Sequence, residues 1–305
     1  MLMTDSSQYL DFLFEAGKKL PQFVSKSVTR VFGVRKDGES ADYRGTALVC
    51  TFKERLAFVT ANHVLTEIEN SGNYKCIAFS ATNEGFQARY ERFPDIDVAV
   101  IIPETNIPIA SKYLPWQAEI SDFHMTDETI PFDYMLLYGF PNRFSRYSAF
   151  AQGVVSEGYT HCTWVRPRIS QTSALLRSLY AEVKGYEPIP DEELKPFHFC
   201  LNFDEPTGPL KSQDGELITS NGILEEHAGL YVDMQSLPGT QPFGAFGLSG
   251  SPVWRFGAVE ANWKLESWTV NFARLVGIVT HWNEVRHCLI ATRFGDIASK
   301  LKEII

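Results

Sequence analysis

Gly244-Ala245-Phe246-Gly247-Leu248-Ser249-Gly250-Ser251-Pro252-Val253 sets one serine at the centre of a turn-forming stretch. Glycines at 247 and 250 allow backbone angles that a side chain would forbid. Such a backbone can aim two N–H groups at the same point. A hydroxyl beside converging N–H groups is a nucleophile next to a place where negative charge can develop, which is what acyl transfer requires. Serine is inert without a base to take its proton, so the base has to come from elsewhere in the chain.

Of seven histidines, His63 has the most suggestive setting, in Ala57-Phe-Val-Thr-Ala-Asn-His-Val-Leu65. An apolar strand ends in small residues and delivers an imidazole at its end, where a barrel presents side chains to a cleft. A base of this kind needs a third group to fix its tautomer and to stabilise the imidazolium. Pro94-Asp-Ile-Asp-Val-Ala-Val-Ile101 offers two carboxylates on one strand face, Asp95 and Asp97. Asp97 is favoured because it abuts the apolar run, where an acid is costly to bury unless something pairs it.

Working outward, the pattern is short strands with turn punctuation. Val28–Val34, Gly45–Phe52, Arg55–Thr60, Cys76–Phe79, Phe86–Tyr90 and Val98–Ile102 read as strands in the first half. Tyr134–Gly139, Ala149–Ser156, Phe197–Phe203, Gly229–Asp233, Val253–Phe256, Trp268–Ala273 and Leu275–Thr280 follow in the second. Helical spacing is confined to three stretches. Ser6–Leu20 is predicted to stop at Pro21, Ser170–Val183 is a candidate, and Phe294–Ile304 reads as a terminal helix. Many closely spaced strands and few helices predict an all-β barrel or sandwich.

Composition narrows the function classes. The 305 residues are 44% hydrophobic and 21% charged, the balance of a globular chain with a real core. A net charge of -9 argues against a duplex nucleic-acid binder, which needs a basic face for phosphates. No apolar run is long enough to span a bilayer, and Met1–Lys19 has no signal-peptide layout. Five cysteines, an odd number and none close in sequence, do not make a disulfide framework or a Cys-x-x-Cys metal site. A reducing, cytoplasmic location is the expectation. His161-Cys162 and His198-Phe-Cys200 are close pairs, but two ligands in a strand are a weak metal signal.

Taken together, these stretches resemble the trypsin-like (chymotrypsin-fold) serine peptidases, in the form of a bacterial-type intracellular member. Thr60-Ala-Asn-His-Val64 resembles the family's histidine motif, with Asn62 where a second alanine is usual. Asp97-Val-Ala-Val-Ile101 resembles its aspartate motif, and Gly247-Leu-Ser-Gly-Ser-Pro252 its nucleophile motif, with Ser251 in place of the more frequent glycine. Gly45-Thr-Ala47 resembles the small-residue strand before the family's histidine, Val276-Gly-Ile-Val-Thr280 the strand that lines its substrate cleft, and Tyr138-Gly-Phe-Pro141 the entry to the second barrel in bacterial members. The likeness runs from about residue 25 to 294.

The resemblance implies two six-stranded antiparallel β-barrels with short terminal helices. A helical extension would occupy residues 1–24, the first barrel and a connector 25–133, and the second barrel 134–305. An insertion in the second barrel is expected at about 163–229. It further implies a serine endopeptidase acting through His63, Asp97 and Ser249, with the N–H groups of Gly247 and Ser249 as oxyanion hole. The expected partner is a peptide or protein substrate, with no nucleic acid, no membrane, no metal and no organic cofactor. Phe243 would fall near the base of the specificity pocket, with Thr280, His281 and Trp282 along one wall. No acid stands at 243, so a Lys or Arg preference is not supported. Trp282, where the family often has glycine, would either narrow the pocket or turn away from it. The rival reading is a catalytically silent binding or scaffold module with an occluded cleft, and between the two stands a latent peptidase released by a partner or ligand. An α/β-hydrolase frame fits less well: position 251 is serine rather than glycine, and strands do not alternate with helices.

Overall fold

The first apolar strands fold as one antiparallel sheet, as their period-two patterns require. In a computed structural model the chain is described for residues 6–37, 41–52, 54–82, 86–117, 134–141, 145–148, 153–156, 159–171, 187–203, 245, 247–258, 260–262 and 264–302. The first unit comprises β1 (Val28–Arg35), β2 (Ala41–Phe52), β3 (Arg55–Ala61), β4 (Tyr74–Phe79), β5 (Ala88–Phe93) and β6 (Val98–Pro103). They pair in the order β4-β1-β2-β3-β6-β5, and the two-residue β7 (Trp116–Gln117) adds in parallel to β2. β4 and β5 end this path and do not pair with each other among the described residues, so the unit is a curled sheet rather than a closed barrel. Both end strands are mostly half-buried or exposed, whereas β6 between β3 and β5 is buried throughout.

The second unit does close. β8 (Tyr134–Gly139), β11 (Tyr159–Arg166), β12 (His198–Asn202), β15 (Cys288–Arg293), β14 (Arg274–Asn283) and β13 (Pro252–Arg255) form a six-stranded antiparallel barrel. β9 (Ser145–Ser148) and β10 (Gly153–Ser156) pair antiparallel as a separate two-stranded sheet. The all-β class with antiparallel pairing is therefore as expected, and a curled sheet beside a closed barrel is consistent with a chymotrypsin-like double barrel.

One core serves both units. Phe12, Ala16, Leu20 and Val24 of α1 (Ser6–Val24) pack with Leu48, Phe52 and Val100 of the first unit and with Trp254, Phe256 and Ile278 of the second. α3 (Phe294–Lys302) contributes Phe294, Ile297, Ala298 and Leu301 to the same cluster. Two further clusters fill the individual units, around Phe58, Phe79 and Ile101 in the first and around Leu137, Phe199 and Val279 in the second. Because the shared core fixes one unit against the other, the crevice between them has a defined shape.

Three expectations are corrected here. Pro21 does not stop α1, which continues to Val24. An interior proline costs about 3 kcal/mol, yet Leu20 and Val24 on either side of it are fully buried in the shared core, and that burial outweighs the break. Trp268–Ala273 is not a strand but turns and a short 3-10 segment at Val270–Phe272. The buried Trp268 indole anchors it, donating from Nε1 to the Phe256 carbonyl at 2.8 Å and meeting Phe12 edge-on. The segment 163–229 is not wholly an insertion, because the end of β11 and all of β12 lie within it and both are barrel strands. All five residues of β12 are buried, which is why its apolar run could not be surplus. Within that segment, 172–186 and 204–229 lie outside the described residues. So do most of the candidate helix 170–183, the strand expected at 229–233 and Phe243.

Candidate active site

β3 ends at Ala61 and the chain turns at once into α2 (Asn62–Asn70), so His63 sits in that helix's first turn. A helix start leaves N–H groups without intrahelical partners. Asp97 satisfies two of them from across the sheet. Its carbonyl accepts the Asn62 N–H at 3.0 Å, and its Oδ1 accepts the His63 N–H at 2.9 Å. A carboxylate is also the charge that a helix N-terminus favours. Asp97 holds this position with φ at 51°, a left-handed conformation uncommon for a residue with a side chain, at the end of the Pro94–Asp97 turn that leads into β6.

The other carboxylate oxygen of Asp97 meets the imidazole. Oδ2 lies 2.7 Å from His63 Nδ1, and His63 Nε2 lies 3.0 Å from Ser249 Oγ. One carboxylate thus fixes both the backbone and the ring of His63. Asp95, the competing acid, points elsewhere and pairs with Lys300 at 3.2 Å. The three residues that the sequence singled out, separated by up to 186 positions, are brought into one hydrogen-bonded chain.

Ser249 is presented by a tight turn ahead of β13. Leu248 N–H donates to Ala245 O at 3.0 Å, Ser251 N–H to Leu248 O at 2.9 Å, and Gly250 N–H to Val279 O on β14 at 2.7 Å. Across the crevice the Ser249 carbonyl accepts the Thr46 N–H of β2 at 2.9 Å. Gly250 has φ at 88°, and a Cβ there would stand 1.9 Å from the Thr46 carbonyl oxygen. Only glycine permits that approach. Gly247 also has positive φ, 93°. Among the described residues the N–H groups of Gly247 and Ser249 take no backbone partner.

The electrostatics separate the three histidines near Asp97. Burial pushes the His63 imidazole down, but the hydrogen bond and charge of Asp97, with a smaller contribution from Glu67, outweigh it and raise its pKa. His281 Nδ1 is 3.7 Å from the same Asp97 oxygen, yet burial with the charges of His63 and Lys195 holds its pKa below the ordinary value. His198, whose ring lies 6.3 Å from that of His281, is lowered to about 4 by burial, His281, Lys195 and Arg168. A proton arriving at this cluster therefore settles first on His63.

The residues expected along the specificity wall are placed unequally. Thr280 is fully buried and donates its hydroxyl to the Ile290 carbonyl at 3.3 Å. His281 is exposed beside the His63 ring, with centroids 5.9 Å apart. Trp282 leans on the second-unit core and meets Phe203 edge-on at 5.2 Å. Sequence reading passed over Tyr43, quoted Thr46 only within the Gly45-Thr-Ala run, and weighed His198 only as a weak metal ligand. Tyr43 precedes the singled-out Gly45-Thr-Ala run, and no local pattern in the chain ties it to Ser249. Among the described residues no group of three or more His, Cys, Asp or Glu side chains is arranged to hold a metal ion.

With this geometry in hand, comparison with known proteins adds little. The solved structures similar to this chain include the active form of the Rv3671c protease from M. tuberculosis. It is 12% identical, with a TM-score of 0.47, over 95% of this chain and 86% of that one. No protein-family model and no curated protein matches the chain. In that hydrogen-bonded order, Ser249 can lose its hydroxyl proton to His63 while Asp97 holds the ring and faces the cation that forms. Among the described residues no helix is long and apolar enough to cross a membrane.

Proposed function

We propose that the chain is a serine hydrolase of the trypsin-like kind that cleaves peptide bonds. The observation that carries this reading is the His63 imidazole, bridged to Asp97 at 2.7 Å on one side and to Ser249 at 3.0 Å on the other. Ser249 Oγ attacks a carbonyl carbon while its proton passes to His63 Nε2. Negative charge develops on the carbonyl oxygen and is met by the N–H groups of Gly247 and Ser249. His63 then gives the proton to the leaving amine, which departs and leaves an acyl ester on Ser249. A water loses its proton to the same imidazole, hydrolyses the ester and restores the hydroxyl. Asp97 stays ionised throughout and holds His63 Nδ1–H. The peptide as substrate rests on the motif resemblance, and the wall formed by His281 and Trp282 is proposed to receive it. The five unpaired cysteines support a reducing compartment, the cytoplasm in the first instance.

Active-site labelling tests this. A fluorophosphonate probe should modify the wild-type chain at Ser249, located by mass spectrometry of the digested adduct, and leave folded Ser249→Ala unmodified. Unlabelled wild type should also cut members of a peptide library, and the labelled protein should not. Wild type that stays unlabelled while folded would sink the hydrolase reading and leave the silent binding module. Labelling that appears only with an added partner would identify a latent enzyme.

A further inference from the structure

Two buried hydroxyls on β2 of the first unit converge on one carbonyl of the nucleophile turn in the second. Thr46 Oγ1 donates to the Gly247 carbonyl at 2.9 Å and accepts the Phe140 N–H at 3.1 Å. Tyr43 Oη lies 2.7 Å from the same Gly247 carbonyl, hydrogen-bonds the Phe140 carbonyl, and sits 3.2 Å from Thr46 Oγ1. Thr46 is fully buried and Tyr43 nearly so, so water does not compete for these bonds. The Thr46 backbone N–H meanwhile holds the Ser249 carbonyl at 2.9 Å.

The consequence follows from peptide planarity. The Gly247 carbonyl and the Leu248 N–H belong to one rigid plane. Thr46 holds its carbonyl end, Tyr43 shares its one hydroxyl proton between that carbonyl and the Phe140 carbonyl, and the Ala245 carbonyl holds the N–H end at 3.0 Å. The planes on either side of it carry the N–H groups of Gly247 and Ser249. Gly247, with φ at 93°, is free to swing these planes unless something fixes them. We infer that Tyr43 and Thr46 are positioning residues that set the oxyanion-binding N–H groups from the opposite unit, so that the site is complete only when the two units are docked. This rests on the hydrolase reading above. Neither side chain touches the reacting atoms. Each acts through the backbone of the turn, where a small misplacement of donors is costly in rate.

Second-order fluorophosphonate labelling rates of the full chain, measured from pH 5 to 9, decide the matter. The probe's phosphoryl oxygen must enter the same N–H cradle as a substrate's. Thr46→Val and Tyr43→Phe are each expected to slow labelling by about ten- to a hundredfold. The pH midpoint of labelling should not move, because the His63–Asp97 pair is untouched. Thr46→Ser, which keeps the hydroxyl, should retain most of the rate. Should Thr46→Val fail to fold, Tyr43→Phe, which removes one oxygen, carries the test alone. Variants that label within about twofold of wild type would overturn the inference, as would a Thr46→Ser variant as slow as Thr46→Val or a shifted pH midpoint. Wild type that does not label at all would instead overturn the hydrolase reading, and this one with it.

Discussion

Asp97 is the residue on which most of the site converges, since it caps α2, orients the His63 ring and faces His281. Its effect on His63 has a measurable sign. The base works only when neutral, and Asp97 raises its pKa above the ordinary histidine value, so labelling should fall as pH drops through a midpoint above that ordinary value. In Asp97→Asn the Asp97 charge is gone, leaving only the smaller raising influence of Glu67 against burial. The midpoint should shift down, and the rate at neutral pH should drop by about 10³- to 10⁴-fold. A midpoint unchanged in that variant would show that Asp97 does not govern the base. His198 runs the other way. Its folded pKa is depressed to about 4, so it stays neutral in the fold while the unfolded chain takes up a proton below about 6.5. Stability from this group is present above that value and is lost as pH falls from 6.5 towards 4. The urea midpoint of wild type should drop between pH 7 and 5, and that of His198→Gln should drop less. At this scale the sequence exposed His63 and Asp97 because each ends or opens an apolar run, and Ser249 because glycines flank it in a turn-forming stretch. His198 gave no such signal, being one member of a strand that is buried throughout.

Among the elements, β2 and the nucleophile turn are matched at backbone level, and Gly250 is where they meet. A Cβ at that position would stand 1.9 Å from the Thr46 carbonyl and 2.4 Å from Thr60 Oγ1, on a backbone with positive φ. Gly250→Ala is expected to cost more than about 2 kcal/mol, through strain and displacement of β2 together. Chemical denaturation would read it, and a loss below about 0.5 kcal/mol would contradict so close an approach. The short strands were legible in the sequence because alternation and turn residues are local properties. The departures arose where tertiary packing overrode local preference. α1 runs past Pro21 because Leu20 and Val24 are held in the core, and Trp268–Ala273 abandons the extended form because one indole is anchored by Phe256. That the first sheet curls without its end strands pairing among the described residues is equally illegible locally, since pairing between distant strands leaves no mark in either strand alone.

Across the whole molecule, the shared core joins α1, both β units and α3, and this makes the crevice geometry a property of the entire chain. Phe12 is almost fully buried in it, far from the site in sequence. Phe12→Ala should cost about 3–5 kcal/mol and lower the melting temperature. Tryptophan fluorescence and labelling capacity should be lost in one coincident transition, as expected if the two units unfold together. Two separated transitions would show that the units hold themselves apart from the common core. The sequence by itself determined the all-β class, the His63, Asp97 and Ser249 candidates and the glycines of the nucleophile turn. Each of these follows from local periodicity, from the chemistry of one side chain, or from a backbone angle that a single residue type permits. Only the tertiary structure decided that Asp97 rather than Asp95 faces the imidazole, and that β12 belongs to the barrel. It alone put two hydroxyls of the first unit on a carbonyl of the second. Those outcomes depend on where residues far apart in the chain come to rest against each other, and that is fixed by the packing of the common core.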